Sequence, residues 1–284
     1  MRVGELYDRG QPVFSFEFFP PKTDRGFSNL YRTIGELKQL APDFVSVTWG
    51  AGGSTRSKTV DMVIQIQDEL EITAMAHLSC IGSTPTQLEE TLSRLGAGGI
   101  ENILALGGDR PDDYVPPQGA FNYANELVDF ISTSHDFCLG GACYPEVHPA
   151  APSAEVDLEN LIRKVDAGVD FLITQLFFDN AYFFEFEKRA RAAGIEVPII
   201  PGIMPIISAS NIRRITALCE ARIPDELESR LSEVEHEDAL TTEVGVEWAT
   251  LQCRELLENG VPGIHFYTMN KSPATRHVFR NLQP

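Results

Sequence analysis

Long apolar runs and paired cysteines are both missing from this sequence. Its apolar stretches are only a handful of residues long, which excludes a transmembrane helix, and its N-terminus has no apolar signal segment. We therefore expect a cytoplasmic protein. The five cysteines are scattered, odd in number and without metal-ligand or redox spacing, so we expect reduced packing residues and no metal. They are Cys80, Cys138, Cys143, Cys219 and Cys253.

Positive charge is also scarce. The 23 Lys and Arg residues face 41 Asp and Glu residues, which gives a formal net charge of -18. This excess of negative charge makes nucleic acids and anionic membrane surfaces improbable partners. An anionic ligand would need a local basic pocket, for which the candidates are Arg163–Lys164, Arg213–Arg214 and Lys271 with Arg276. The acidic segment 225–238 is typical of a solvated helix and loop.

Strand-like and helix-like segments alternate along the whole chain. Strand-like runs lie near 13–19, 43–49, 72–80, 100–106, 137–144, 170–176, 197–202 and 262–267. Amphipathic helical stretches lie near 27–40, 55–70, 84–97, 121–134, 153–167, 180–193, 208–221 and 239–259. Thr84 with Gln87 predicts a capped helix start, and Gly168, Gly194 and Gly260 predict helix ends. Because no linker interrupts the alternation, we predict an α/β fold, a (β/α)8 TIM barrel forming one domain over residues 1–284.

Polar residues follow the predicted strands, where a barrel carries its active site. They are Glu17, Thr48, His77, Asp109, Tyr144, Glu146, His148, Gln175, Tyr267 and Asn270. The set includes acids and histidines, which indicates a site at this end of the barrel without naming the reaction.

Glu17 lies in an aromatic strand-like run that a Pro-Pro pair ends after Phe19. Burial raises the pKa of a carboxyl group, which suits a general acid near neutral pH. A structural ion pair explains a carboxylate in this run equally well.

Two further segments can bind a ligand. Gly107-Gly108-Asp109 follows the fourth strand, and its glycines would let a planar or phosphate-bearing group approach the backbone, although a plain turn is equally consistent. The loop from Tyr144 to Pro149 is restrained by two prolines. Polar residues then recur at helical spacing and either bind ribose and phosphate or form an ordinary solvated face. They are Asp157, Asn160, Arg163 and Lys164.

Two single residues carry weaker signals. Gln175 sits in an apolar run and suits recognition of a heterocycle with donors and acceptors. His77 alone is more typical of a satisfied core histidine than of a ligand. Most phenylalanines between Phe177 and Phe186 are expected in the core.

Taken together, these segments closely resemble the methylenetetrahydrofolate reductase family in its compact bacterial form. The matching motifs are FSFEFFPPK (14–22), FVSVTWGAGGSTR (44–56), AHLSC (76–80), LALGGD (104–109), ACYPEVHP (142–149), KVDAG (164–168), ITQLFF (173–178), IPGIMP (200–205) and FYTMNK (266–271). They occur in order and cover essentially the whole chain.

The resemblance implies an FAD site at the carboxyl ends of the strands. The implied FAD residues are Thr48, Trp49, Ala51, His77, Gly107, Gly108, Asp109, Tyr123, Ala124, Tyr144, His148, Ala151, Asp157, Asn160, Arg163 and Lys164. It also implies that Gln175 and Phe183 contact the folate and that Lys271 faces its negatively charged glutamate tail.

The implied reaction has two halves. NADH or NADPH reduces FAD, and the reduced flavin then converts 5,10-methylenetetrahydrofolate to 5-methyltetrahydrofolate, which supplies methyl groups for methionine synthesis. Glu17 would act as general acid at N10, and Asp109 would hydrogen-bond the pterin and favour a cationic intermediate.

Several residues depart from the family pattern. Gly107 stands where the family has Arg, and Trp49 and Phe183 stand where Tyr is usual. Ile215 replaces a Phe found in some members, and Lys271 replaces an Arg, which exchanges a bidentate fork for a point charge.

The departure at Gly107 keeps a second hypothesis open. The chain could be a folate- or flavin-binding barrel subunit that receives electrons from a partner protein. A barrel lyase or aldolase is disfavoured because no lysine lies at a strand end and the histidines lack metal-ligand spacing. The choice between NADH and NADPH stays open, and apolar residues on the outer helices would permit a homo-oligomer.

Overall fold

Nine short parallel strands form one sheet that closes into a barrel. The computed structural model describes residues 1–21, 23–49, 53–110, 113–271 and 273–282. The strands are β1 (Val13–Phe18), β2 (Phe44–Val47), β3 (Ala74–Ser79), β4 (Asn102–Leu106), β5 (Cys138–Cys143), β6 (Phe171–Thr174), β7 (Ile199–Ile200), β8 (Gly202–Ile203) and β9 (Gly263–Tyr267). Their order in the sheet is β7-β6-β5-β4-β3-β2-β1-β9-β8, with every pair parallel. The predicted TIM-type barrel is confirmed.

The seventh predicted strand, 197–202, is split in two at Pro201. β7 pairs with β6, whereas β8 pairs with β9, so the barrel closes across the break. Pro201 has no N–H to donate to a ladder, but its carbonyl accepts the His265 N–H at 3.0 Å. The chain therefore fills eight barrel positions with nine strands.

The helices surround the sheet and include two elements that the sequence pattern did not predict. The α-helices are α1 (Asp24–Lys38), α2 (Gly53–Leu70), α3 (Pro85–Ala97), α4 (Ala124–Ser134), α5 (Ala154–Asp166), α6 (Asn180–Ala192), α7 (Ala209–Cys219), α8 (Asp225–Val234), α9 (Asp238–Glu258) and α10 (Pro273–Leu282). Helix α10 and an N-terminal 3-10 helix, Gly4–Arg9, are the two missed elements. Helix α8 is the helical part of the acidic segment.

The predicted helix ends are confirmed. Thr84 and Gln87 form the reciprocal capping box at the start of α3. Gly168, Gly194 and Gly260 have φ angles of 117°, 87° and 81°, the left-handed region that glycine adopts without a Cβ clash.

The barrel interior is apolar at its N-terminal end and polar at the opposite end. Val3, just before the 3-10 helix, and Leu6 within it close the N-terminal end and pack with Val13, Phe44 and Met75. One layer higher, the side chains of Ser15, Ser46, His77 and His265 are buried.

Strand alternation separates Glu17 from the aromatic side chains beside it in sequence. Phe16 and Phe18 are fully buried in the layer between the strands and the helices, where Phe14 and Phe16 contact Phe279 of α10. Because successive side chains on a strand point to opposite faces, Glu17 faces the barrel interior.

Candidate active site at the carboxyl ends of the strands

Glu17 lies between two buried histidines. Its Oε2 atom is 3.4 Å from Nε2 of His77 and 3.5 Å from Nε2 of His265. The Glu17 side chain keeps 17% of its surface exposed, whereas His77 and His265 keep 5% and 0%. The carboxyl group is therefore the part of this trio that a ligand at the barrel mouth can reach.

The two imidazoles are held by different surroundings. Burial lowers the pKa of His77 to about 4, although the nearby Glu17 carboxylate acts in the opposite direction. His265 places Nδ1 2.7 Å from the Ser15 hydroxyl and stacks on Phe44. Among the residues that the structure describes, neither Nε2 atom has a partner in hydrogen-bonding geometry. Both Nε2 atoms therefore remain directed at the Glu17 carboxyl group.

Tyr267 forms the next part of the wall. Its hydroxyl donates to the Thr174 carbonyl at 2.6 Å, and its ring packs edge-on against His265 with 5.4 Å between ring centroids. A Cβ at Gly202 would lie 2.4 Å from the Thr174 carbonyl oxygen, so only glycine permits this approach. Burial raises the pKa of Tyr267 well above its usual value, so its hydroxyl keeps its proton.

The Gly107-Gly108 segment presents open backbone at the end of β4. A Cβ at Gly107 would have the Ala124 backbone nitrogen, at 3.9 Å, as its nearest non-neighbour. Gly108 has φ 91°, and a Cβ there would lie 2.8 Å from the Ser79 hydroxyl oxygen. The chain can thus turn into exposed Asp109 only with glycine at Gly108.

Arg110 continues this loop toward α4. Its guanidinium lies 5.4 Å from the centroid of the Tyr123 ring and donates to the Asn122 carbonyl at 2.9 Å. Tyr123 is 61% exposed and directly precedes Ala124, the first residue of α4. A cation and an aromatic face are therefore available beside the Gly107-Gly108 segment.

The loop after β5 is built around His148. The His148 N–H donates to Asp157 Oδ2 at 3.0 Å, Nδ1 accepts the Ala150 N–H at 3.0 Å, and the carbonyl accepts the Ala151 N–H at 2.8 Å. The His148 ring packs edge-on against Tyr144, with 4.4 Å between the ring centroids. These contacts fix the loop before any ligand binds.

The loops after β4 and β5 lie close enough for charges near both to act on Tyr144 and His148. Burial raises the pKa of Tyr144 to about 12, and the charges of Asp157 and Asp109 act in the same direction. Burial lowers the pKa of His148, against the effect of Asp157 and Asp109. Asp109, from the loop after β4, and Asp157, from the first turn of α5, therefore act on the same two rings.

The remaining polar residues of α5 lie in different environments. Lys164 is half-buried, donates from Nζ to the Ala142 carbonyl at 2.6 Å, and has a pKa lowered by burial. Arg163 and Asn160 are exposed and hydrogen-bond each other at 2.8 Å. The helix therefore offers one half-buried cation under β5 and one cation on its outer surface.

The predicted substrate residues are not all at the mouth. Gln175 follows β6, where its Oε1 accepts the Leu176 N–H at 2.8 Å, and Lys271 is exposed after β9. Phe183 instead lies in the core, fully buried and stacked on Phe177 with 5.6 Å between the ring centroids.

The predicted residues after β2 fall partly within the described structure. Thr48 donates its N–H to the Phe18 carbonyl at 2.8 Å, beside Glu17. Trp49 is half-buried against the core. Ala51 lies outside the described residues.

Of the other basic candidates, Arg213 is engaged within the protein. It contacts Glu228 and Glu235 of the acidic segment and donates to the Ser232 hydroxyl at 2.9 Å. It serves to attach α8 to α7 and is not a free anion site.

Sequence reasoning missed His265 and Ser15. Both positions carry a signal, because alternation on β9 places His265 on the same face as Tyr267, and alternation on β1 places Ser15 on the face of Glu17. The parallel register then pairs Ser15 directly with His265.

Comparison with known proteins identifies this arrangement. The sequence profile described as methylenetetrahydrofolate reductase matches residues 2–283. The chain belongs to the methylenetetrahydrofolate reductase family. It is 38% identical over 274 residues to 5,10-methylenetetrahydrofolate reductase of Escherichia coli, covering 96% of this chain and 92% of that protein. Methylenetetrahydrofolate reductase (NADH) 1 of Arabidopsis thaliana is 36% identical over 295 residues, which cover 99% of this chain.

The family relatives differ in length. This chain spans 50% of the Arabidopsis protein and 47% of methylenetetrahydrofolate reductase 2 of Saccharomyces cerevisiae, to which it is 38% identical. Among solved structures, a Clostridium thermocellum protein described as binding two copies of 5-methyl-5,6,7,8-tetrahydrofolic acid aligns with a TM-score of 0.65. It covers 99% of this chain and 97% of its own at 14% identity, and so shows the fold alone.

The described part of the chain has neither a membrane-spanning helix nor a cluster of metal ligands. Within the described ranges, every helix is too short or too polar to span a lipid bilayer. The same ranges contain no group of three His, Cys, Asp or Glu side chains arranged to hold a metal ion.

Proposed function

We propose that this chain catalyses the FAD-dependent reduction of 5,10-methylenetetrahydrofolate to 5-methyltetrahydrofolate, with NADH as electron donor. The observation that carries the proposal is the Glu17 carboxyl group, held at the barrel mouth between His77 and His265. Membership of the family over residues 2–283 supports the reaction. The names of the Arabidopsis and maize relatives, which specify NADH, support the donor. The product would supply methyl groups for methionine synthesis.

The mouth fits a flavin nucleotide. Gly107 leaves open space beside the first turn of α4, and Gly108 lets the backbone approach a planar ring. The unpartnered Nε2 atom of His77 is a buried polar group to which a ligand can supply a hydrogen bond. When bound, FAD supplies the hydride-transfer chemistry. The residues that would hold it are those of the sequence prediction, of which Ala51 lies outside the described residues: Thr48, Trp49, Ala51, His77, Gly107, Gly108, Asp109, Tyr123, Ala124, Tyr144, His148, Ala151, Asp157, Asn160, Arg163 and Lys164.

Glu17 would deliver a proton to N10 of the folate as its five-membered ring opens. Burial keeps His77 neutral near pH 7, so it gives no competing cation beside the carboxyl group. A Ser15 hydroxyl that donates to Nδ1 of His265 leaves the imidazole proton on Nε2, the atom that faces Glu17 Oε2. The trio thus holds the Glu17 carboxyl group at the mouth, where its exposed surface lets solvent return the proton that it donates.

Three polar residues, of which Asp109 and Lys271 are exposed and Gln175 is half-buried, would orient the substrates around Glu17. Asp109, on the opposite loop, would accept hydrogen bonds from the pterin and favour positive charge on the reacting methylene group. Gln175 would bind the pterin and, in the other half-reaction, the nicotinamide. Lys271 would face the anionic glutamate tail of the folate.

Separate measurement of the two half-reactions tests the proposal. Purified protein with FAD is titrated anaerobically with NADH, and methylenetetrahydrofolate is then added. We expect the flavin absorbance to bleach and then return. In Glu17→Gln, reduction by NADH should stay within about twofold of wild type, while folate-driven reoxidation falls by at least 10²-fold, the usual scale of general acid catalysis.

The control and the contrary outcomes are specific. Glu5→Gln changes an exposed carboxylate at the opposite end of the barrel and should leave both half-reactions unchanged. Equal loss in both half-reactions for Glu17→Gln would contradict the general-acid role. A wild-type flavin that neither NADH nor NADPH reduces would instead favour a barrel that takes electrons from a partner protein.

A further inference from the structure

The end of β1, which carries Glu17, is fastened by side chains that follow β9. Regular pairing between the two strands stops at Glu17 and Tyr267. Beyond that point the Thr268 hydroxyl donates to the Glu17 carbonyl at 2.6 Å. The Asn270 side chain then both accepts the Phe19 N–H at 2.9 Å and donates to the Phe19 carbonyl at 2.8 Å. These side-chain contacts extend the ladder by two residues.

The sequence explains why β1 needs this support. Pro20 and Pro21 follow Phe19, and neither has an N–H that could continue the pairing. On the side of β1 that faces β2, the Thr48 N–H donates to the Phe18 carbonyl at 2.8 Å. Without Thr268 and Asn270, the end of β1 beyond Glu17 would be held from one side only.

The turn that carries these side chains has a strained backbone. Met269 and Asn270 are consecutive non-glycine residues with φ angles of 52° and 56°. Asparagine tolerates this left-handed region better than other residues, whereas methionine is disfavoured there. The Thr268 hydroxyl also accepts the Asn270 N–H at 3.2 Å, and the Thr268 carbonyl accepts the Lys271 N–H at 2.9 Å. The turn is thus held in the one shape that brings the Asn270 amide to Phe19.

We propose that Thr268 and Asn270 are positioning residues for Glu17. They fix the backbone that directly follows the Glu17 Cα, at the Glu17 carbonyl and at Phe19, so that the carboxyl group stays between His77 and His265 and faces the mouth. The inference rests on the proposed function, in which Glu17 donates a proton to the folate. A displacement of about 1 Å in a catalytic group costs on the order of 10²-fold in rate, so a strand end that frays would slow only the step that uses Glu17.

Four variants test the positioning role in the same anaerobic assay. Thr268→Val removes the hydroxyl and keeps the shape, and Asn270→Gly removes the amide and keeps the left-handed turn accessible. We expect each to slow folate-driven reoxidation at least tenfold while reduction by NADH changes less than twofold. Thr268→Ser keeps the hydroxyl and should restore reoxidation to within threefold of wild type. Thr242→Val removes a comparable hydroxyl bond, to the Asp238 carbonyl in α9, and should change neither half-reaction.

Amide hydrogen exchange gives a second readout that does not depend on activity. The peptide spanning Phe14 to Phe19 should exchange faster in Asn270→Gly and Thr268→Val than in wild type and Thr268→Ser. Unchanged exchange there, wild-type reoxidation in both variants, or equal slowing of both half-reactions would overturn the positioning role. A wild-type protein that shows no folate-driven reoxidation would instead overturn the proposed function, and the exchange measurement would still decide whether Thr268 and Asn270 hold the strand.

Discussion

At the scale of single residues, the site depends on which face of a strand each side chain occupies. Glu17 lies in the most aromatic segment of the chain, yet its contacts are imidazoles, because the phenylalanines of β1 pack on the opposite face against α10. Of the two imidazoles, His77 was among the polar residues predicted at this end of the barrel. His265 was not predicted, because it precedes the end of β9 by two residues and its neighbours in sequence are apolar.

Val147 carries the most strained backbone of the described loops at the mouth. Its φ angle is 128°, in a region that a β-branched residue rarely adopts. Such a conformation costs on the order of 1–3 kcal/mol and persists where the surroundings fix it. Here the hydrogen bonds of His148 on one side fix the chain, and on the other the Glu146 carboxylate accepts the Arg222 N–H with both oxygens at 3.1 Å.

We predict that Val147→Gly raises the free energy of unfolding or leaves it unchanged. Relief of the strain should gain about 1–3 kcal/mol, and the added freedom of the unfolded chain should cost roughly 0.5–1 kcal/mol. Val147→Ala is the matched control, because it removes the same methyl groups but keeps the Cβ that causes the strain, and it should be less stable than Val147→Gly. Urea denaturation measures both. A Val147→Gly protein less stable than Val147→Ala would show that relief of backbone strain at this position does not outweigh the freedom that glycine adds to the unfolded chain.

Not every strained position can be found in a sequence. Gly108 stood out in the sequence as a position for close ligand approach or a plain turn, and the structure places it at φ 91°. Val147 gives no such signal, because nothing in the residues Pro-Glu-Val-His-Pro distinguishes a left-handed valine from an extended one. Its conformation follows from long-range contacts with Asp157 and Arg222.

At the scale of elements, the sequence predicted the helix ends that a few neighbouring residues determine. The capping box at Thr84 and the glycines after three helices are contained within a few residues, and all are present in the structure. Helix α10 and the N-terminal 3-10 helix were missed, since each is stabilised by distant surfaces. The Phe279 ring of α10 packs on β1, and Leu6 of the 3-10 helix closes the barrel.

The acidic helix α8 is held by apolar contacts and by ion pairs. Leu227 and Leu231 are fully buried against α7 and the end of the barrel, and its carboxylates meet Arg213 of α7. Contacts with Glu228 and Glu235 raise the pKa of Arg213 above its already high value, so it stays charged at every accessible pH. The segment therefore covers the outside of α7 and is not merely a solvated acidic tail.

We predict that Arg213→Ala lowers the free energy of unfolding by about 1 kcal/mol in low salt and by less in 1 M NaCl. The ion pairs of Arg213 are half-exposed, so salt screens them. The neighbouring Arg214 hydrogen-bonds only to Asn211 among the contacts described for it, and Arg214→Ala should change stability by less than about 0.5 kcal/mol. Urea denaturation at the two salt concentrations measures both variants. An Arg213→Ala effect that does not fall with salt would assign the loss to packing of the side-chain stem.

At the scale of the whole molecule, eight alternations of strand and helix were enough to predict the barrel, but not the depth at which its interior changes from apolar to polar. That change depends on which residues meet in one layer, and the layer holding His77 and His265 is set by the register of β3 and β9 against their neighbours. A folded chain with these imidazoles buried must keep His77 neutral, whereas the unfolded chain exposes it to water.

This difference makes stability depend on pH. The pKa of His77 is about 4 in the folded protein against 6.5 for a free histidine, chiefly because of burial. Above pH 6.5 both states are neutral, and His77 adds no pH dependence. Between pH 6.5 and 4 the unfolded chain binds a proton that the folded chain does not, so stability falls as the pH falls. Burial also lowers the pKa of His148 and acts in the same direction, whereas it raises the pKa of Glu146, which acts in the opposite direction.

A His77→Gln variant isolates the contribution of this residue. We predict that the free energy of unfolding of wild type minus that of His77→Gln is constant above pH 7 and falls by roughly 3 kcal/mol on going to pH 4, the amount that the pKa difference represents. Thr242→Val, which changes no titrating group, provides the control and should give a difference that is flat with pH. Urea denaturation at pH 4, 5, 6, 7 and 8 supplies the curves. A flat difference for His77→Gln as well would mean that the folded and unfolded chains bind a proton at His77 equally well, so that burial does not keep this imidazole neutral beside Glu17.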